Sequence, residues 1–301
     1  MSSAEREPIG TPGDGEAPAA ADTQPARLKH FLAGLEGVAL LRQWLVGDRA
    51  EAERRFASLR RLARSDAPGI ALRPPELDVI AGYARWAGSY DGSPNPLIEV
   101  EQPTVRARID PHAPGRALDA ACGSGRHAAY LAARGHEVYG VDASPDMLKL
   151  ARRRVPSADL REGDLAHLPF SDASFDLVVC SLALTHCAVL GPPVQELARV
   201  LQPGGHAILS DQHPLMSELG NTALFLDAEL APAIVKSHAH LHSDYLAAFR
   251  SSALEVVGCD EPRYSEAHLP TLVGPLPRSA RGALEAGMLG LPAALVWELR
   301  R

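Results

Sequence analysis

Apolar residues in the first third of the chain recur at the spacing of amphipathic helices. Between Leu28 and Ala63 this spacing predicts two helices that are broken near Gly47. Two further helices are expected over residues 75–88 and 96–109. The segment before Leu28 contains almost no large apolar side chain, so it cannot bury enough surface to offset its conformational entropy.

The period changes after Pro114, where short apolar runs begin to alternate with helical patterns. Strands that alternate with helices of this length are typical of βαβ units and a parallel sheet. Ser144 is a suitable N-cap and Pro145 a suitable first residue for one of these helices. The predicted strands are residues 116–120, 136–142, 159–161, 175–181, 206–211, 254–259 and 293–299.

These patterns divide the chain into three parts. We expect a disordered tail over residues 1–26, a helical cap region over 27–110 and an α/β core over 111–301. Within the core, residues 212–242 show an irregular pattern and are interpreted as a lid-like insertion over the site.

Composition narrows the class of protein. The chain of 301 residues has a net charge of −7 and a pI near 5.9, which argues against a nucleic-acid binder with a basic surface. No apolar run is long enough to span a membrane, and the polar start does not resemble a secretory signal. We therefore expect a cytoplasmic protein. A disulfide framework is not expected from four widely spaced cysteines, Cys122, Cys180, Cys187 and Cys259.

The strongest chemical signal is a strand, a glycine-containing loop and a helix in succession. The loop holds Gly123 and Gly125, which allow the backbone to approach a ligand closely in front of a helix N-terminus. A second acid, Asp142, ends the next strand 23 positions after Asp119. That spacing is typical of a carboxylate that binds the ribose hydroxyls of an adenosine ligand.

Two features decide which adenosine ligand is expected. A dinucleotide fingerprint requires a third glycine, and position 128 is Ala. Asp119 on the strand would repel a pyrophosphate but suits a cationic ligand that carries an amino group. Both features disfavour a nicotinamide dinucleotide protein, which is the rival enzyme interpretation.

The loop and the motifs that follow it resemble the class I S-adenosylmethionine-dependent methyltransferases. The resemblance covers most of residues 83–300 and implies a Rossmann-like α/β fold. That fold has a seven-stranded, mostly parallel sheet with helices on both faces, a terminal antiparallel hairpin and, here, an N-terminal helical extension. The matching motifs are Asp119-x-Ala121-Cys122-Gly123-Ser124-Gly125, Asp142-Ala143-Ser144, Gly163-Asp164-Leu165, Phe175-Asp176-Leu177-Val178 and Leu201-x-Pro203-Gly204-Gly205.

The resemblance also implies residues that bind the cofactor, S-adenosylmethionine, and its product S-adenosylhomocysteine. Those expected at the methionine portion are Asp119, Ala121, Cys122, Gly123 and Gly125. Those expected at the ribose and adenine are Asp142, Ala143, Met147, Gly163, Asp164 and Leu165, and Ser181 is expected near the methyl sulfonium.

An aromatic stripe precedes the core. Tyr83, Trp86 and Tyr90 lie near one face of the third predicted helix, which is similar to the helix that closes over the cofactor in small-molecule members of the family. An aromatic ring attracts a sulfonium, so Tyr90 is a candidate contact for cofactor or acceptor. Plain packing is the alternative.

Histidines are the candidates for acid–base chemistry. His186 and His213 follow two predicted strands at the edge where ligands bind, and His242 lies at the end of the insertion. We expect His213 to act as base or orienting group, with His242 and then His186 as alternatives. Residues His238, His240 and His242 alternate and could share one face, but pocket-lining and surface roles are preferred and no metal is expected.

The expected activity is methyl transfer to oxygen, nitrogen or carbon of a small molecule, in secondary metabolism. The alternatives are an RNA or protein methyltransferase and a non-catalytic nucleotide-binding protein. A small acceptor is favoured by the acidic balance and the insertion. No nucleic-acid or membrane partner is expected, and the chain is expected to be a monomer or a homodimer.

Overall fold

A seven-stranded sheet forms the centre of the molecule. The computed structural model describes residues 26–64, 71–72, 74–92, 94–274, 276–277 and 280–301. The strands of the sheet are β4 Arg116–Ala120, β5 Glu137–Asp142, β6 Asp159–Glu162, β7 Phe175–Ser181, β8 Leu201–Gln212, β11 Glu255–Asp260 and β12 Ala294–Arg300. In spatial order they are β11-β12-β8-β7-β4-β5-β6.

The strand directions confirm the predicted Rossmann-like arrangement. Strands β4 to β8 are mutually parallel, and β12 lies antiparallel between β8 and β11. The C-terminal pair is antiparallel as expected, although residues 261–293 connect its strands instead of a tight turn. The carboxyl ends of the five parallel strands therefore meet at one edge of the sheet.

Helices cover both faces of this sheet. Helix α4 begins and ends where the sequence predicts, and α6 begins at Pro145 after the side chain of Ser144 accepts from Met147 N. Helix α3 begins later than expected, because Asp78 provides its N-cap. The helices of this part are α3 Val79–Trp86, α4 Pro96–Ile109, α5 Arg126–Ala133, α6 Pro145–Arg154, α7 Gly191–Val200 and α9 His242–Ser251.

The first two helices pack on the C-terminal part of the chain. Helices α1 Leu28–Gln43 and α2 Arg49–Arg64 are broken near Gly47 as predicted, and α1 packs on α11 Arg281–Met288. Leu32 and Leu35 share a core with Leu284 and Met288. These helices therefore extend the core, and the expected disordered tail over 1–26 lies almost entirely outside the described residues.

The insertion is more regular than its sequence pattern indicates. It contains α8 Pro214–Glu218 and an antiparallel pair, β9 Ala223–Leu226 and β10 Pro232–Val235. Both strands are continuously apolar, so neither shows the alternation of apolar and polar residues that marks a half-buried strand in the sequence.

A short strand before α3, β3 Glu76–Leu77, pairs parallel with β10 and completes a three-stranded sheet. We call residues 76–92 and 223–236 together the roof. Inside the roof, Trp86 of α3 stacks on Phe225 of β9, and Arg85 forms an ion pair with Asp227. The roof holds together through its own apolar cluster and covers the carboxyl edge of the central sheet.

Two further strands, β1 Ala26–Arg27 and β2 Ala71–Leu72, pair with each other, and α10 Leu269–Val273 precedes α11. No helix in the described parts of the chain combines the length and the apolar character that crossing a membrane requires.

Candidate active site

A cavity of about 430 Å³ lies between the carboxyl edge of the central sheet and the roof. Its volume falls within the usual range for small-molecule sites, roughly 300–1,000 Å³. We call its two walls the sheet side and the roof side. The sheet side is lined by Ala121, Gly123, Asp142, Ala143, Gly163, Asp164, Leu165 and Ser181. The roof side is lined by Val79, Ile80, Tyr83 and Tyr90, together with His186 and Val189 of the β7–α7 connection and Pro192 of α7.

The glycine loop connects the sheet side to the start of α5. Gly123 has φ +53° and Gly125 has φ +82°, a region that side chains rarely adopt. A Cβ on Gly125 would also lie 3.2 Å from the backbone of Ala151 in α6. The two glycines therefore let the loop turn tightly between the strand and the helix.

Asp142 fixes this loop at the end of β5. One carboxylate oxygen accepts from Gly123 N at 2.7 Å, and the other accepts from Ser144 N at 2.8 Å. Burial raises the pKa of Asp142, and the two N–H groups partly oppose that rise. A carboxylate held on both oxygens by backbone presents its remaining lone pairs to the cavity in a fixed direction.

The next strand supplies a second acid. Asp164 follows β6 and accepts a hydrogen bond from Ala166 N at 2.7 Å within a turn. Leu165 packs against the apolar core that β4, β7, β8 and α7 share. Among the lining residues there is no Lys or Arg. The cavity therefore carries acidic side chains on its sheet side and suits a ligand with a positive charge and hydrogen-bond donors.

Four predicted cofactor residues lie behind the cavity wall. Met147 is fully buried under Gly123, and Cys122 packs in a small core beneath the loop. Gly125 caps α5. Asp119 is buried and accepts from Ala128 N of α5 at 2.7 Å, and burial raises its pKa to about 7. In this geometry they shape the loop, and direct contact with a ligand stays a prediction.

Tyr83 and His186 form a hydrogen-bonded pair on the roof side. The Tyr83 hydroxyl lies 3.0 Å from His186 Nε2, and His186 Nδ1 lies 2.8 Å from the carbonyl oxygen of Lys236. A carbonyl only accepts, so Nδ1 carries the proton, and Nε2 accepts from Tyr83. Burial lowers the pKa of His186, which keeps the ring neutral, and burial raises that of Tyr83, which keeps the phenol protonated.

Aromatic and aliphatic side chains complete this wall. Tyr90 lines the cavity, as the sequence suggested, and its ring packs at 5.0 Å against Trp86 and at 6.1 Å against Tyr83. Ile80 is 54% exposed and Val189 63% exposed, although both are large apolar residues. The wall is therefore apolar where it meets solvent, which favours entry of an apolar molecule.

The other two predicted catalytic histidines do not line this cavity. His213 and His242 lie together, with ring centroids 5.4 Å apart, and both contact Glu261, at 3.4 and 2.8 Å. His213 Nδ1 accepts from Leu215 N and so caps α8. Sequence position at a strand end did not distinguish these residues from His186, because the direction of each side chain depends on the loop that follows.

A buried acid below the cavity was not identified from the sequence. Glu101 of α4 is fully buried, and its Oε1 accepts from Ser181 Oγ at 2.8 Å and from Ser210 Oγ at 2.5 Å. Its Oε2 lies 2.9 Å from Arg126. Burial alone would raise the pKa of Glu101, but His127 and Arg126 outweigh it and lower the pKa to about 2. The buried carboxylate therefore joins α4, α5 and the ends of β7 and β8.

Two of the five non-glycine residues with positive φ in the described part of the chain line the cavity. Ala121 and Leu182, which follow β4 and β7, have φ of +57° and +55° although neither is glycine. Such a conformation costs about 1–2 kcal/mol for a residue with a Cβ. Strained positions of this kind cluster at functional sites, and only the strand–loop pattern around Ala121 could have indicated one of them.

Comparison with known proteins agrees with this geometry. The family described as "Methyltransferase domain" matches residues 118–209. A malonyl-[acyl-carrier protein] O-methyltransferase from Erwinia pyrifoliae is 36% identical over 135 residues, which cover 44% of this chain and 50% of that protein. A demethylmenaquinone methyltransferase from Deinococcus radiodurans is 40% identical over 114 residues, which cover 36% and 47%. The chain thus spans about half the length of these relatives.

A solved structure extends the likeness to the fold. The S-adenosylmethionine-dependent methyltransferase from Mesorhizobium loti superposes with a TM-score of 0.53 at 25% identity, over 67% of this chain and 98% of that one. The matched family, the strand order and the glycine loop with its acid agree with one another. The chain therefore contains a region that matches a methyltransferase domain, and it has the fold of the class I S-adenosylmethionine-dependent methyltransferases.

Proposed function

We propose that the protein transfers the methyl group of S-adenosylmethionine to a small, uncharged acceptor that carries a hydroxyl or another weakly acidic group. The observation that carries the proposal is the cavity itself, with the Gly123 loop and Asp142 on one wall and the Tyr83–His186 pair on the other.

The residues present fit the cofactor. Asp142 offers fixed acceptor atoms to ribose hydroxyls, and Asp164 with Leu165 offers an acceptor and an apolar cover for an adenine ring. The absence of Lys and Arg among the lining residues suits a cation. When bound, S-adenosylmethionine supplies an electrophilic methyl group on a sulfonium. Ala121, Gly123 and Ser181 would line its path.

The roof side provides a route for the acceptor's proton. An acceptor hydroxyl that reaches Tyr83 gives its proton to the phenol oxygen as the Tyr83 proton passes to Nε2 of His186. The imidazolium that results keeps its Nδ1–H on the carbonyl of Lys236. General-base assistance of this kind contributes about 10²–10⁴-fold to a rate.

The apolar roof also supports the proposal of an uncharged acceptor. Val79, Ile80 and Val189 line the wall that faces the sheet side, and an anion would find no basic partner among the lining residues. A relative named for O-methylation supports oxygen as the methyl-accepting atom. A place in secondary metabolism, a cytoplasmic location and a monomeric or homodimeric state remain predictions.

The test begins with the cofactor, because it does not require a known acceptor. Calorimetric titration should show binding of S-adenosylhomocysteine and none of NAD at the same concentrations. Incubation with S-adenosylmethionine and a panel of neutral phenols, alcohols and enols should then release S-adenosylhomocysteine and add one methyl mass to an acceptor. Tight binding of NAD, or of neither compound, would refute the proposal.

A further inference from the structure

A second cluster of polar side chains lies at the end of the central sheet opposite the cavity. His112 follows α4, His206 lies early in β8, and Glu298 lies late in β12. His206 pairs in register with Leu177 near the start of β7, whereas the cavity lies where β7 ends. The three residues are partly buried and take no part in the proposed methyl transfer.

The atoms of this cluster converge on one carboxylate oxygen. His206 Nδ1 lies 3.1 Å from Glu298 Oε1, and His112 Nε2 lies 3.5 Å from the same oxygen. The three atoms all lie within 4.8 Å of one another. Two ligands at about 2.0–2.1 Å from a tetrahedral zinc ion are about 3.3 Å apart, so two of the three separations bracket the required value.

One of these atoms lacks a partner. Within the described part of the chain, His112 Nε2 is buried and makes no hydrogen bond. A buried polar atom without a partner costs about 1–3 kcal/mol.

The surroundings hold the carboxylate in place. Arg108 donates to Glu298 Oε2 at 2.9 Å, which leaves Oε1 directed at the two histidines. The charge of Arg108 is in turn balanced by Asp260 at 2.7 Å. An outer residue that orients a ligating carboxylate is a regular feature of protein metal sites. Arg108, Asp260 and Glu298 together carry one net negative charge, which favours a cation.

The other histidine–glutamate cluster is less suitable. His213 Nδ1 accepts from Leu215 N, so its proton must lie on Nε2, the atom that faces Glu261. His242 Nε2 lies at hydrogen-bond distance from the same carboxylate. A metal on Nε2 of His213 would move the ring proton to Nδ1 and break the hydrogen bond from Leu215 N that caps α8, which makes this cluster the less suitable one.

We propose that His112, His206 and Glu298 form a zinc site at the end of the sheet remote from the cavity, with water as the fourth ligand. Two imidazoles, one carboxylate and a water make up a ligand set that Zn²⁺ accepts in tetrahedral geometry. The ion would join the turn after α4 to β8 and β12.

The test uses the full chain after treatment with EDTA and equilibrium dialysis against Zn²⁺. The wild type should retain one zinc per chain, and Co²⁺ in its place should give the intense visible absorption of a tetrahedral site. His206→Ala and His112→Gln should each weaken zinc binding by about 100-fold or more. Zn²⁺ should raise the Tm of the wild type and not of these variants.

His242→Ala is the matched control, because it removes a histidine from the other cluster and should bind zinc as the wild type does. His112→Gln lies in a turn, so it provides a folded variant even where His206→Ala lowers stability, and circular dichroism checks both. The proposal is overturned when the wild type retains no zinc, when both site variants retain it, or when the control loses it.

Discussion

The two walls of the cavity are built in different ways. On the sheet side, the backbone does most of the positioning, since Gly123 and Ser144 donate to Asp142 from neighbouring loops. On the roof side, side chains from separate segments meet, as in the pair formed by Tyr83 and His186. The matched family region, residues 118–209, includes the sheet side and His186, but not residues 76–92 and 223–236 of the roof. The sheet side is thus the part of the site that lies wholly within the matched family region, and the roof is the part in which this chain can differ from other members of that family.

The first prediction concerns the junction beneath the sheet side, where Glu101 joins α4, α5 and the ends of β7 and β8. Glu101→Ala should remove the partner of Arg126, Ser181 and Ser210 at once and leave a partly buried guanidinium without its carboxylate. Breaking a buried ion pair costs about 3–5 kcal/mol. Chemical denaturation should show a loss of this size in the free energy of unfolding.

The same junction gives a dependence on pH. The pKa of Glu101 falls from 4.5 to about 2 on folding, so its stabilising effect is present above about pH 4.5 and is lost as the pH falls towards 2. Glu99→Ala, at an exposed position of the same helix, is the control and should change stability little. Equal losses for the two variants would show that the junction is not a shared support.

The second prediction tests the sheet side alone. Asp142→Ala removes the acceptor atoms proposed for the ribose and releases Gly123 N and Ser144 N, so the affinity for S-adenosylhomocysteine should fall about 100-fold. Calorimetric titration measures this affinity. Asp146→Ala, an exposed acid in the first turn of α6, should leave affinity unchanged. An unaltered dissociation constant for Asp142→Ala would remove the sheet side from the site.

The third prediction tests the roof side alone. His186→Ala removes the proton acceptor of Tyr83 and should lower kcat by about tenfold or more, with the affinity for S-adenosylhomocysteine unchanged. Single-turnover methyl transfer makes the measurement. His213→Ala is the competing assignment, and because His213 lies outside the cavity lining its kcat should stay within about twofold of the wild type. The reverse ranking would transfer the role of base to His213.

The fourth prediction is a smaller effect on the same wall. Only neutral His186 accepts a proton, and burial lowers its pKa below the usual 6.5. The rate should therefore be constant above neutral pH and decline on acidification, with an apparent pKa under 6.5. Tyr83→Phe should abolish the acid limb as well as reduce the rate. A decline of the rate on acidification with an apparent pKa above 6.5 would contradict the proton relay through Tyr83 and His186.

The central sheet and the sheet side of the cavity could be predicted because their signals are local. Strand β4, the loop and α5 follow one another within a few residues, and Asp142 ends the very next strand. Each of these elements can be recognised by its own period, glycine or cap. The predicted bounds of α4, β4 and β7 agree with the structure for this reason.

The rest of the site depends on contacts between distant segments. Tyr83 and His186 are separated by 103 positions, and Glu101 and Ser210 by 109. No periodicity links such residues, because their proximity results from the packing of the roof and of α4 on the finished sheet. The buried glutamate was missed for the same reason, as an acid within a helical pattern is normally assigned to solvent.

The parallel pairing of β3 with β10 has a consequence for recombination between related chains. The pairing places residues 76–77 and 234–235 side by side, and Trp86 with Phe225 seals the contact. A chimera that exchanges only the 223–236 segment would present a foreign strand to a native one and a foreign surface to α3. A chimera should therefore acquire the acceptor preference of its donor only when residues 76–92 and 223–236 are exchanged together. The two segments are far apart in the sequence and adjacent in the folded protein.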